Sequence, residues 1–344
     1  MTPIRRRVLA LLVLVGLGAA SASAQTGNGE FYRDKTIRIL VGTTVGGGFD
    51  LYARMLARHL GQHIPGHPAI IVENMPGAGG LVAANHIYRV AKPDGLTVGH
   101  FSGDLLLLQI LERPGVEFDA RRFQYVGAPS NQHIACAFSR ASGITKVADW
   151  ASATAPVKMG GLVPGSGPDR ITRILRAALG FPTRVVTGYK GTADVRMAVD
   201  GGELAGACFN WVSMRAAWSS ALESGDVNVV LQVAPKAHPD LPKVPLATDL
   251  ARDAESRRLI ELGIHWVDAL VRLYTLPPGT PPDRVLTLRR AFVAALRDPA
   301  FLAEAQKAKL EVDLVPGDEV DRIVNDLFRL EPAMVTKLKS ILLD

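Results

Sequence analysis

Cysteine is scarce in this 344-residue chain: it has only two, Cys136 and Cys208. That scarcity excludes a disulfide scaffold and leaves no Cys-rich metal motif. Aromatic residues make up 6% of the chain, and no basic run interleaves with them, so nucleic-acid binding is not expected. No Gly-Lys-Ser/Thr string occurs, which removes a nucleotide P-loop. Gly42, Gly46, Gly47 and Gly48 do not make G-x-G-x-x-G, so Glu73 at a strand end has no dinucleotide partner. Neither Ser102 nor Ser166 lies in G-x-S-x-G, and no nucleophile elbow is present. No repeat with a solenoid period and no low-complexity segment appears.

The apolar run at 8–17 is too short for a membrane span. It follows Arg5-Arg6-Arg7 and precedes Ala22-Ser23-Ala24, the order of a secretory signal peptide at 1–24, cleaved between Ala24 and Gln25. Removing those three arginines lowers the formal charge from +6 to +3. A periplasmic location follows. In an oxidising compartment the two cysteines, both in apolar strand-like runs, either pair or serve as small core hydrophobes.

What is present is a set of glycine turns between strands and helices. A β-branched strand at 37–41 leads to Gly46, Gly47 and Gly48, and an amphipathic helix follows over 50–62, with Leu51, Met55 and Leu56 at helical spacing. A strand, a flexible turn and a helix N-terminus leave backbone N–H groups free to hold an anion. Similar turns recur at Gly77-Ala78-Gly79-Gly80, Gly165-Ser166-Gly167 and Lys190-Gly191-Thr192. Asp50 reads as an N-cap or as a ligand contact, the cap being the simpler reading. Ser166 can cap the next helix or bind a carboxylate. Asn210 and Trp211 follow a strand, where each serves a turn, a core or a cleft. His59, His63 and His67 recur every four residues, but Pro65 breaks the helix, so they are expected to face solvent rather than bind metal.

Strand and helix signals alternate through two series, one from residue 37 and one from 134, so a parallel α/β sheet with helices on both faces is expected in each half. The tail reads as mostly helical: 282–296, 300–310 and 318–342, with a short strand at 312–315. A mature chain of this length calls for two domains.

The ordered runs beginning Lys35-Thr36-Ile37, Val72-Glu73-Asn74 and Lys92-Pro93-Asp94, with Tyr189-Lys190-Gly191, Gly201-Gly202-Glu203, Ala234-Pro235-Lys236 and Leu276-Pro277-Pro278, resemble the Bug-type extracytoplasmic receptors. These are solute-binding proteins of tripartite tricarboxylate transporters. The resemblance spans nearly the whole mature chain. It implies a two-lobed periplasmic-binding-protein fold, type II-like, with two crossovers and a ligand cleft between lobes. Lobe one would be 31–130 with 235–344, and lobe two 131–234. It also implies a monomer that binds a small carboxylate, performs no chemistry, needs no cofactor and docks with membrane subunits. A signalling sensor, or an enzyme on the same scaffold, is the alternative.

Carried over by position, the ligand contacts are Thr43, Thr44, Gly46, Gly47, Gly48 and Asp50, then Gly77, Ala78, Gly79, Gly80 and Ser102. From the second half come Gly165, Ser166 and Gly167, then Tyr189, Lys190, Gly191 and Asn210. Phe49 and Phe209 replace polar residues usual in the family, which implies a more apolar site and a ligand with a hydrophobic body.

Overall fold

The computed structural model describes residues 31–162 and 165–343, so the signal peptide expected at 1–24 lies outside the described residues. Two compact units form. Among the described residues, unit one takes 31–100, 122–126 and 274–310; unit two takes 101–121, 127–273 and 311–343. These bounds differ from the lobe limits expected from sequence: 101–121, 127–130, 235–273 and 311–343 group with 131–234. The reason is visible in the core of unit two, where Leu338, Leu259, Ile260 and Ile264 pack with Ile174 and Leu175.

In unit one, β1 (Thr36–Val41) pairs in parallel with β2 (Ala69–Asn74) and with β3 (Thr97–Phe101). Helix α1 (Gly48–Leu60) follows β1, and α2 (Leu81–Arg89) follows β2. α1 buries Tyr52, Ala53, Met55, Leu56 and Leu60. The expected inward Leu51 is instead exposed, because the stripe of apolar side chains is phased on Tyr52. α10 (Pro282–Arg297) and α11 (Pro299–Lys307) pack against α1. Of the three histidines expected to face solvent, His67 is exposed, but His59 and His63 make this contact: His59 Nε2 lies 2.7 Å from Glu304 and His63 Nε2 3.1 Å from Asp298. Both imidazoles take carboxylate partners on α11 and its N-cap, which explains their helical spacing without a metal.

Strands β4 (Gln124–Ala128) and β10 (Leu273–Leu276) belong to the same six-stranded sheet, ordered β11-β4-β10-β3-β1-β2. The strand expected at 312–315 is reduced to β11 (Val315–Pro316), antiparallel to β4. The single helix expected at 318–342 is two, α12 (Gly317–Leu327) and α13 (Pro332–Leu343), since Pro332 begins a new helix.

Unit two also holds a five-stranded sheet, ordered β7-β6-β8-β5-β9. Its members are β5 (Ile134–Ser139), β6 (Val157–Gly160), β7 (Thr183–Val186), β8 (Gly206–Asn210) and β9 (Val227–Val233). β6 runs parallel to β7 and β8, as expected, but β5 is antiparallel to β8 and β9, so the sheet is mixed. Its connecting helices are α4 (Val147–Ala151), α5 (Gly167–Leu179), α6 (Thr192–Asp200) and α7 (Trp211–Ser224). α3 (Asp104–Ile110) follows β3; α8 (Ala254–Ile260), a π-helical turn (Glu261–His265) and α9 (Trp266–Ala269) precede β10. No helix among the described residues is long and apolar enough to cross a membrane.

Cys136 on β5 stands directly opposite Cys208 on β8, and the two form a disulfide, both fully buried. Pairing and core packing are thus both satisfied. The bridge spans 72 residues of sequence. Replacing both cysteines by alanine is expected to lower unfolding stability by about 2–4 kcal/mol, read as a lower urea midpoint with a higher m, because the unbridged denatured chain is less compact.

Candidate ligand-binding loops

The turn after β1 is held by a single carboxylate. Asp50 Oδ2 accepts from the Gly46 amide at 2.9 Å and from Arg54 Nε at 2.9 Å. Its Oδ1 accepts from Asn74 Nδ2 at 2.9 Å, and the same amide group reaches the Thr43 carbonyl at 3.0 Å. Arg54 closes the ring by donating to Asn74 Oδ1 at 3.1 Å. Gly46 has φ +85°, a left-handed conformation that glycine adopts without a Cβ penalty, and this turns its N–H back toward Asp50.

The N-cap reading of Asp50 is therefore corrected. Gly47 is the N-cap and Asp50 sits at the third helical position, reaching back to the residue before the cap. Both carboxylate oxygens are spent on protein donors, so Asp50 shapes the loop. No side chain caps α1. The Gly48 N–H, at the first helical position, has no intrahelical acceptor and lies where the helix dipole favours negative charge. Thr44, Val45, Gly46, Gly47 and Gly48 are exposed, while the Thr43 hydroxyl is enclosed with no partner.

The Gly77–Gly80 turn lies beside this loop. Gly77, Ala78, Gly79 and Gly80 all have positive φ. A Cβ on Gly42 would come 3.0 Å from Gly80 Cα, so the two backbones nearly touch. Asn74, at the end of β2, links the strands' ends. Phe49 turns inward, its ring 5.2 Å from His100, which stacks on Tyr274 at 4.0 Å.

The hydrogen bond from Arg54, with those from Gly46 and Asn74, holds the Asp50 carboxyl down at about 2, burial acting the other way. A depressed folded-state pKa contributes stability above the unfolded value of about 4 and loses it as pH falls toward 2. Asp50→Asn should therefore be destabilised at pH 7 but lose less stability than the native chain between pH 4 and 2, as read by acid-dependent urea melts.

Unit two repeats the device. After β6, Gly165 has φ +80° and donates its amide to Asp169 Oδ2 at 2.8 Å, while Arg173 Nε donates to Asp169 Oδ1 at 3.0 Å. Ser166 is the N-cap of α5, its side chain caps nothing, and its enclosed hydroxyl has no partner. The capping role expected of the Ser166 hydroxyl is thus not met. After β7, the Lys190 amide donates to Asp194 Oδ2 at 3.1 Å and Gly191 is the uncapped start of α6. In all three, an aspartate at the third helical position grips the amide before the N-cap and leaves the helix N-terminus open.

Because β6, β7 and β8 are parallel, Gly165, Ser166, Gly167, Tyr189, Lys190, Gly191 and Asn210 sit at the C-terminal ends of these strands. Asn210 Oδ1 caps α7 by accepting from the Val212 and Ser213 amides at 3.0 and 3.3 Å. The Tyr189 hydroxyl donates to Glu203 at 2.7 Å; burial and then that carboxylate push the phenol up to about 12. Ser102 follows β3 and its hydroxyl donates to Asp104 at 3.0 Å. Trp211 and Phe209 are buried in the hydrophobic core of unit two, so Phe209 does not make a binding loop more apolar.

Sequence reasoning passed over Arg54, Asn74, Asp169, Arg173 and Asp194, which hold the loops in shape. A signal existed: Gly-x-x-x-Asp-x-x-x-Arg occurs at 46/50/54 and again at 165/169/173.

The chain resembles known proteins over most of its length. The family model described as "Tripartite tricarboxylate transporter family receptor" matches residues 52–339. A UPF0065 protein from the gbd 5' region of Cupriavidus necator is 26% identical over 339 residues, covering 97% of this chain and 96% of that one. A TctC solute-binding protein from Polaromonas superposes with TM-score 0.72 at 18% identity, covering 90% of this chain and 98% of that one. MatC from Rhodopseudomonas palustris, solved with bound malate, gives TM-score 0.58 at 19% identity, covering 90% and 99%.

Proposed function

The chain belongs to the tripartite tricarboxylate transporter receptor family, and from that premise we propose that it captures a small carboxylate in the periplasm and passes it to membrane subunits. The observation that carries this reading is the braced, uncapped helix start at Gly46, Gly47 and Gly48, repeated at Gly165. Main-chain amides and a helix dipole are suited to a carboxylate, and an aspartate already neutralised by Arg54 does not repel it. Gly77–Gly80 abuts that loop. In unit two, Gly165, Ser166 and Gly167, and Tyr189, Lys190 and Gly191, offer carboxylate-holding helix starts of the same kind, with Ser102 and Asn210 as further polar contacts. The malate bound to MatC supports a dicarboxylate of that size.

A thermal-shift series on the chain from Gln25, using malate, succinate, citrate, propionate and benzoate, tests this. At least one carboxylate should stabilise the fold by about 2.7 kcal/mol at a hundredfold excess over its Kd, with no new product by mass spectrometry. No shift with any of them, or steady turnover of one, would overturn the reading.

A further inference from the structure

Unit two contains a cavity of about 420 Å3 away from the glycine turns, between the π-helical turn, the segment after β9 and the start of α12. A volume of that order is typical of small-molecule pockets. His265 lines it; the residue is 6% exposed, and its Nε2 has no hydrogen-bond partner. Asn131 lines it too, with Oδ1 buried and likewise unpartnered. Buried polar atoms are usually hydrogen-bonded, so two unpartnered ones lining one cavity suit a polar ligand.

The charges on the wall divide by whether they are already used. Glu261 pairs with Arg258 at 3.5 Å, and Glu319 pairs with Arg322. Lys236 and Arg257 are in no ion pair among the described residues, and neither is Asp313. The unspent groups are thus two cations and one anion, with a neutral amide acceptor beside them. Burial, and secondarily His133, holds the His265 imidazole down at about 4, so it enters the site uncharged near neutral pH. Val315 and Ile323 supply an apolar wall.

We propose that this cavity is a second binding site, distinct from the carboxylate-holding loops, that takes a free α-amino acid with a small uncharged side chain. Lys236 and Arg257 take its carboxylate, and Asp313 with Asn131 Oδ1 takes its ammonium. The zwitterion matches both signs of unspent charge, which a simple carboxylate or amine does not.

Calorimetric titration of the chain from Gln25 tests it, with L-serine as probe. 3-Hydroxypropionate lacks the ammonium and ethanolamine lacks the carboxylate. L-Serine should give saturable heat, and each analogue should bind at least about tenfold more weakly, a loss of one charge-assisted contact. The exposed pair Lys236→Ala/Arg257→Ala and, separately, Asp313→Asn should each weaken L-serine by about tenfold or more. Gly47→Tyr should leave it unchanged. No saturable heat with L-serine, equal binding of the analogues, indifference to the wall variants, or loss of binding in Gly47→Tyr would each overturn the proposal. Only the last would leave the loop site as the receptor for the amino acid.

Discussion

Gly47→Tyr is expected to abolish carboxylate binding while the protein still unfolds cooperatively at nearly the native temperature. Gly47 has φ −79° and ψ 171°, a conformation open to any residue. A Cβ there meets only the Thr44 carbonyl at 3.7 Å, an ordinary contact, so the loop itself has room for a side chain. The aromatic ring would occupy the space in front of the Gly47 and Gly48 amides. Binding should fall by a hundredfold or more, about 2.8 kcal/mol on the usual scale. Gly46→Ala differs in kind: its φ of +85° makes any Cβ costly, so stability should drop by about 1 kcal/mol as well. Retained affinity in Gly47→Tyr would mean that the solute sits elsewhere.

Asp268→Ala should strongly destabilise unit two. Arg170, next in sequence to the Asp169 brace, is 4% exposed. It donates to Asp268 Oδ1 at 2.8 Å and to the Gly263 carbonyl of the π-helical turn. Burial pushes the Asp268 carboxyl up to about 6, with Arg170 opposing. Removing Asp268 strands a buried guanidinium, its next carboxylate being Asp104 at 3.7 Å. Breaking such a pair costs about 3–5 kcal/mol. The double change Arg170→Met/Asp268→Leu, which removes both charges, should recover most of that loss. Urea melts of the three proteins decide it; equal destabilisation of single and double variants would contradict the ion-pair account.

Much of unit one was legible from local signals. The 37–41 strand, the glycine turn and the amphipathic helix each announce themselves, and the structure joins them in that order. Less legible was what only the folded chain brings together. Asp50 reads as a cap because helix starts attract aspartate, yet its partners Arg54 and Asn74 lie one turn and one strand away. His59 and His63 look solvated because nothing local pairs them; their carboxylates come from α11, more than 230 residues later. The antiparallel β5 escaped because alternation of strand and helix cannot show direction. Helical signals continue from α12 into α13, and only Pro332 marks the break between them. The division of the tail between units depends on packing of Leu338 and the α8–α9 segment against α5, and no sequence pattern encodes that.

The central claim is that main-chain amides at the entrance to α1 grip the carboxylate. Titrating a 15N-labelled, deuterated chain with the carboxylate that gives the largest thermal shift tests it most directly. The Gly47 and Gly48 amide protons should move furthest downfield and in step with saturation. Saturation with those two resonances unmoved, and shifts clustered elsewhere, would contradict the account.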